Sequence, residues 1–306
     1  MSHYIRRRLL TFLPVVLGVV TAVFLIIHLV PGDPVVLMLG ENAPPSDVAE
    51  LRHQLGLDKP LLQQYGEFWQ NIFTGNLGDS IYHREAVLKL VWERLPATAV
   101  LSFCALIISL LLAFPLGITA ALFQRKLPDY LALGFSILGI SMPVFWLGPL
   151  LIILFSIKLK LLPVAGLASW KHLILPSLTL GFGLAAITTR MVRSSMIEVM
   201  NQDYIRTALA KGLSKIRVVL SHALKNAIIP VITIVGLQLG ALLGGAIITE
   251  VVFSYPGLGR LLILAILRRD YPLVQAVILV IAFLYLFINL LADLLYARVD
   301  PRVRLK

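Results

Sequence analysis

The chain has 306 residues, of which 58% are apolar and only 14% charged, with a mean hydropathy of +0.89 and a net charge of +11. A typical soluble domain is about 25% charged, so a soluble enzyme, a disordered chain and a fibre are disfavoured together. The single cysteine, Cys104, excludes an internal disulfide and a cysteine-based zinc or iron–sulfur site.

Six uncharged runs, at 9–32, 96–124, 130–157, 173–189, 226–249 and 271–292, match the ~20 apolar residues of a spanning helix or approach it. They do not alternate as membrane barrel strands do. Lipid leaves no backbone hydrogen bond unmade, so each run predicts a helix. The first follows Arg6, Arg7 and Arg8. It is too long for a signal-peptide core and lacks a small-residue cleavage site, so it reads as an uncleaved span. An outer loop then runs from about Pro31 to Leu95. In it Ser46 is a candidate N-cap for a helix to Leu55, and Gly56-Leu57-Asp58-Lys59-Pro60 reads as a stop and turn. Tyr65, Phe68, Trp69, Phe73, Tyr82 and Trp92 suit either a cap anchored at the bilayer surface or a docking face for an external partner.

The second and third spans meet at a short turn, 124–129. The fourth is the shortest and has room to continue past Arg190. Beyond it, Ile197, Met200, Tyr204, Ile205, Ala208 and Leu209 fall on one helix face, and Gly212 fits a C-terminal cap. Ser214 then starts a second helix with Ile216, Val219, Leu220, Ala223 and Leu224 on one side and Lys215, Arg217, His222 and Lys225 on the other. This basic hairpin suits either anionic lipid or a partner protein. In the fifth span Gly240, Gly244 and Gly245 form a small-residue face for close helix contact. The stretch from Glu250 to Asp270 holds a Tyr255-Pro256-Gly257 turn and a short apolar helix, 261–267. In the sixth span Asn289 and Asp293 share a face.

With the amino terminus inside, the inner segments hold 16 Lys/Arg against four acids, while the outer ones hold 11 of each. That is the positive-inside pattern, and six spans return both termini to the cytoplasm. The spans are almost free of charge, unlike those of ion-coupled carriers. Pro14, Pro115, Pro143, Pro149, Pro176 and Pro230 lie within them, each able to kink its helix. There is no phosphate-binding loop, no His-Glu-x-x-His site and no nucleophile elbow. An external motor must drive any active transport.

The hairpin reads Asp203-Tyr204-Ile205-Arg206-Thr207-Ala208-Leu209-Ala210-Lys211-Gly212, then His222-Ala223-Leu224-Lys225-Asn226. This resembles the coupling loop of ABC-importer permeases, in which Glu-Ala-Ala precedes a glycine and then an apolar-Leu-Pro. Here Arg206 replaces the Glu, Thr207 the first Ala and Lys225 the Pro, while Ala208, Gly212 and Leu224 keep the pattern. Those departures resemble the dipeptide, oligopeptide and nickel branch. So do Pro31-Gly32-Asp33-Pro34, Gln54 to Pro60, Leu95 to Thr98, Phe253 to Arg260, Arg269 to Pro272 and Asp300-Pro301-Arg302.

The resemblance implies an all-α membrane protein of the bacterial inner membrane with the type I ABC-importer permease fold. Residues 1–95 would hold the first span and a helical periplasmic loop. Residues 96–306 would form the five-helix core, with a cytoplasmic coupling hairpin at 197–225. Tyr204, Ile205, Arg206, Thr207, Ala208, Leu209 and Gly212 would engage an ATPase, and Asp33, Asp58 and Trp69 would lie where a binding protein docks. The implied partners are a second homologous permease, two ATPases holding ATP and Mg, a solute-binding protein and membrane lipid, with no nucleic acid. The chain itself would hold no cofactor and catalyse no hydrolysis. The implied substrates are peptides, glutathione or a nickel chelate. The competing reading is a stand-alone secondary carrier or channel.

Overall fold

The computed structural model describes residues 2–29, 33–40 and 42–299, with the side chains of 2–11, 37, 241, 243–245 and 295–299 left aside. The side chains of Arg6, Arg7 and Arg8 and the surroundings of Gly244 and Gly245 therefore lie outside the described set, as do Pro31, Gly32 and the stretch Asp300-Pro301-Arg302. The chain forms two compact units. One holds 98–255 and the C-terminal part from Tyr285, and the other holds 2–97 and 256–284.

In the second of these units, α1 (Ser2–Leu29) is followed by three short helices, α2 (Pro34–Leu39), α3 (Pro45–Gln54) and α4 (Leu61–Thr74). Asp33 caps α2 by accepting from Val35 N at 3.0 Å, and Pro34 stands in the first turn, where its missing N–H costs nothing. The expected cap at Ser46 is not the one observed. Pro44 takes the N-cap position and Pro45 the first turn, so Ser46 lies inside α3 and bonds Asp47 instead. The stop at Gly56 is as expected. Its φ of +65° lets its N–H reach His53 O at 3.0 Å while Leu57 N reaches Arg52 O at 3.0 Å. The core of this unit joins Val20, Val23 and Leu279 to Phe68, Trp69 and Ile72. The same unit contains α12 (Leu258–Leu267), the short apolar helix expected from sequence.

In the other unit, α8 (Lys171–Met200) packs against α6 (Leu127–Ser141), α7 (Val144–Leu151) and α11 (Leu224–Val252). The approach to α6 depends on Gly139, where a Cβ would stand 2.5 Å from that of Ala186. A Cβ at Gly240 would stand 3.1 Å from Asn289 Nδ2 and from a Tyr285 ring carbon of α13 (Tyr271–Val299), so α11 admits a neighbouring helix at that point. α8 continues past Arg190, as its sequence allows. α5 (Val87–Leu122) starts before the uncharged run does, because Lys89, Glu93 and Arg94 extend the helix on the polar side of Pro96.

Among the described residues five helices are long and apolar enough to cross a membrane, or six if one bent pair counts as a single span. The run at 130–157 is thus not one rod: α6 and the helix from Val144 to Lys158 meet at 107°. Pro143 causes the break by forcing Met142 into extended backbone (φ −87°, ψ 115°). Pro14, Pro149, Pro176 and Pro230 stay inside helices. Exposed Leu17, Leu111 and Leu131 stud the helices, a surface suited to hydrocarbon and not to water.

Candidate functional site

The hairpin of the sequence reading is a short helix wedged between two long ones. α8 ends at Met200, and Gln202 adopts extended backbone (φ −76°, ψ 149°) before α9 (Asp203–Ala210). Ile197 and Met200 therefore belong to α8, so the single face drawn from Ile197 to Leu209 is interrupted. Within α9, Ile205 and Ala208 are three apart and point the same way. Both are buried, with Val192 and Met196 of α8 and Val218, Val219 and Ala223 beyond the turn. Tyr204, Arg206, Thr207 and Leu209 are exposed. The apolar face expected for a partner is thus narrower than periodicity implies: Tyr204 and Leu209 are exposed, while Ile205 and Ala208 are spent on the chain's own core.

Gly212 closes the corner. At φ +80° it donates to Leu209 O at 3.0 Å, and Leu213 N donates to Ala208 O at 3.4 Å, the paired bonds of a Schellman stop. Tyr204 Oη accepts from Asn226 Nδ2 at 2.7 Å, tying α9 to α11. The pair Arg206–Asp203 is 3.9 Å apart and exposed, so it contributes little.

The second helix of the hairpin is not a separate element. α10 (Lys215–Arg217) passes through a π-helical stretch, Val218–Ala223, directly into α11. The wider turn resets the register. Val218 goes inward, while Ile216 and Leu220, expected on the apolar face, are exposed.

At the base of the corner, Arg193 of α8 grips Asp129 of α6 with both arms, at 2.5 and 2.9 Å, and Asp129 also accepts from Arg125 N at 2.9 Å. The Asp129 side chain is 3% exposed and that of Arg193 24%. In the sequence both are merely two of the charges of the inner segments. A buried carboxylate demands a partner, but nothing local in the sequence says which. Glu250, the first residue after the uncharged run 226–249, is a second acid whose partner no local pattern names. It is fully buried near the end of α11 and accepts from Thr98 Oγ1 at 2.6 Å. Nearby, burial, with Glu250 and Cys104 adding to it, pushes the Tyr255 phenol up to about 12, so it stays neutral at physiological pH.

The three residues placed at an external dock have different surroundings. Asp33 is committed to the α2 cap and an ion pair with Arg52. Trp69 packs on α1 and stacks with Phe73 at 5.8 Å. Asp58 is exposed in the turn after α3. Lys59 Nζ donates to both carboxylate oxygens of Glu67 at 2.7 and 2.8 Å, and with Gln63 holds that carboxyl below the usual glutamate range. Farther on, buried Asp270 accepts from Ser80 Oγ at 2.5 Å, from the N–H groups of Ile81 and Tyr82, and from Leu273 N in α13. Arg268 lies 3.7 Å over the Tyr82 ring.

Two family descriptions match the chain. "Binding-protein-dependent transport system inner membrane component" covers 113–305, and its N-terminal counterpart covers 1–102. The glutathione transport system permease protein GsiC of Salmonella paratyphi A is 44% identical over the whole of both chains. The dipeptide transport system permease protein DppB of Escherichia coli K12 is 42% identical, again over both full lengths. A structure of the MetNI methionine ABC transporter in inward-facing conformations superposes with a TM-score of 0.60 at 17% identity. The match covers 69% of this chain and 96% of that one, a likeness of fold alone.

Proposed function

Because the chain belongs to the family of inner-membrane components of binding-protein-dependent transport systems, we propose that it imports short peptides, dipeptides or glutathione, as half of a two-permease channel. It is a permease subunit and not an ATPase, and membership implies an ATPase and a solute-binding protein as partners. The observation that carries the substrate class is full-length identity of 42–44% to permeases named for glutathione and for dipeptides.

In this reading a sibling permease completes the pathway, both termini are cytoplasmic, and each permease meets one of two ATPases. The contact is the exposed side of α9, made by Tyr204, Arg206, Thr207 and Leu209. Its support is physical: polar and aromatic side chains project from a helix whose other side is pinned in the core, which suits an interface that must bear load. Ile205, Ala208 and Gly212 position that face and do not themselves touch the ATPase. On the opposite membrane face the loop between α1 and α5 receives the binding protein, with Asp58 at its surface.

Reconstitution of the two permeases and two ATPases in proteoliposomes, with the binding protein supplied outside, tests this. Uptake of labelled dipeptide or glutathione should require ATP and the binding protein. Uptake that ignores ATP and follows the proton gradient would establish a secondary carrier instead.

A further inference from the structure

Neither the ATPase contact nor the pathway accounts for a cavity of about 750 Å³ built entirely from the unit that holds the α1–α5 loop. It is more than twice the size of the wholly apolar cleft of about 330 Å³ between α5, α11 and α13, and it lies within the ~300–1,000 Å³ of small-molecule sites. Its lining joins opposite charges from separate elements. α3 brings Asp47 and Glu50, and the loop after α4 brings Arg84, with Asp79 on the same loop. Phe68 and Leu77 supply an apolar floor.

Arg84 is the unusual member. Its backbone is left-handed (φ +54°), a conformation that L-residues other than Asn and Asp seldom adopt. The loop keeps it there. Arg84 N donates to Ser80 O at 2.8 Å, Ser80 N donates to Glu85 O at 2.9 Å, and Asp79 bridges to Ala86. Buried Asp270 fastens the same loop from below through Ser80, Ile81 and Tyr82. The guanidinium is thus carried on a braced backbone, which lowers the ordering cost of using it. A guanidinium matches a carboxylate with two parallel N–H groups, and the α3 carboxylates match an ammonium.

We propose that this cavity holds the substrate in transit between binding protein and channel: a short peptide with both ends free, its α-ammonium on Asp47 and Glu50 and its α-carboxylate on Arg84. The proposal rests on the peptide-importer reading above and adds a second stop on the route. Charges open to solvent make such a stop weak, as a transfer site must be if the solute is to leave.

The test uses the complete permease–ATPase complex in nanodiscs without binding protein. The dipeptide Ala-Leu, its N-acetyl form and its C-terminal amide are titrated by saturation-transfer NMR. The free dipeptide should bind, and each blocked form should bind roughly fivefold or more weakly. Arg84→Gln should make the dipeptide and its amide equal while keeping the penalty for acetylation. Asp47→Asn with Glu50→Gln should do the reverse. Arg84→Gly, which accepts the left-handed backbone without strain, should repeat the Arg84→Gln result even if glutamine disturbs the loop. Equal binding of all three forms, or no binding, overturns the proposal. So does a loss of binding-protein capture in these variants with dipeptide discrimination intact, which would make the cavity a protein seat. ATP-driven uptake by the complete wild-type system separates the two claims. If uptake proceeds without discrimination at the cavity, only the cavity assignment falls. If neither dipeptide nor glutathione is taken up, the importer reading falls.

Discussion

Replacing Gly212 with alanine should loosen the α9 corner through the backbone alone. No heavy atom lies within 4 Å of the added Cβ, so there is no steric cost. What remains is φ of +80°, and a left-handed backbone costs an L-residue about 1–2 kcal/mol. Alanine's stiffer unfolded chain returns a fraction of that, about 0.4–1 kcal/mol. A net loss of about 1 kcal/mol corresponds to a roughly fivefold larger equilibrium population of the locally open corner. Asparagine, which tolerates this region, should cost less. Proline should cost about 3 kcal/mol or more, because its φ is fixed near −65° and it deletes the N–H that bonds Leu209 O. Hydrogen exchange of the peptide spanning 203–213, measured in nanodiscs, reads the effect directly. Protection should fall in the order Gly, Asn, Ala, Pro, and ATP-driven uptake should fall in the same order if α9 carries the load. Equal exchange in the alanine and proline variants would refute the dihedral argument. Unchanged uptake in the proline variant, with its corner open, would refute the coupling role.

Gly139→Ala should push α6 from α8 and cost about 1–3 kcal/mol, seen as a lower folded yield, and Ala186→Gly should restore it because the clash is between those two Cβ atoms at 2.5 Å. No rescue would mean the contact is softer than it looks. Arg193→Met leaves Asp129 buried without its bidentate partner and should cost about 3–5 kcal/mol in chemical unfolding. The double variant with Asp129→Leu should recover much of that, and additive losses would show the two do not act as a pair. Glu67 is held below its ordinary range by Lys59, so its contribution is present above the unfolded glutamate range and fades as pH falls through the lowered value. Protection of α4 should weaken only in that acid window, and Glu67→Gln should remove the dependence.

The crossings are legible in the sequence because a bilayer forbids charge over a length that composition displays plainly. Their ends are less so, since a helix that leaves the hydrocarbon becomes amphipathic and carries charges such as Lys89 and Arg193. The break at Pro143 is not readable from proline alone, for Pro176 and Pro230 sit in unbroken helices. The stops at Gly56 and Gly212 are readable because they need only a glycine after a helical pattern. At the corner, sequence placed the residues of α9 correctly along the chain and misjudged which way they face. Periodicity counts apolar residues but does not say whether the chain or a partner covers them. The π-helical stretch hides the register of the following helix for the same reason, and the Asp129–Arg193 grip joins residues 64 apart, beyond any local pattern.

Ile205 and Ala208 leave α9 with no slack. A hinge made of loop would swallow a shove by bending. This one resembles a knuckle, with its small bone seated between two long ones. If an ATPase pushes on Tyr204 or Leu209, as proposed, the buried Ile205 and Ala208 would hand that load to the shafts of α8 and α11 and leave little room for local slip.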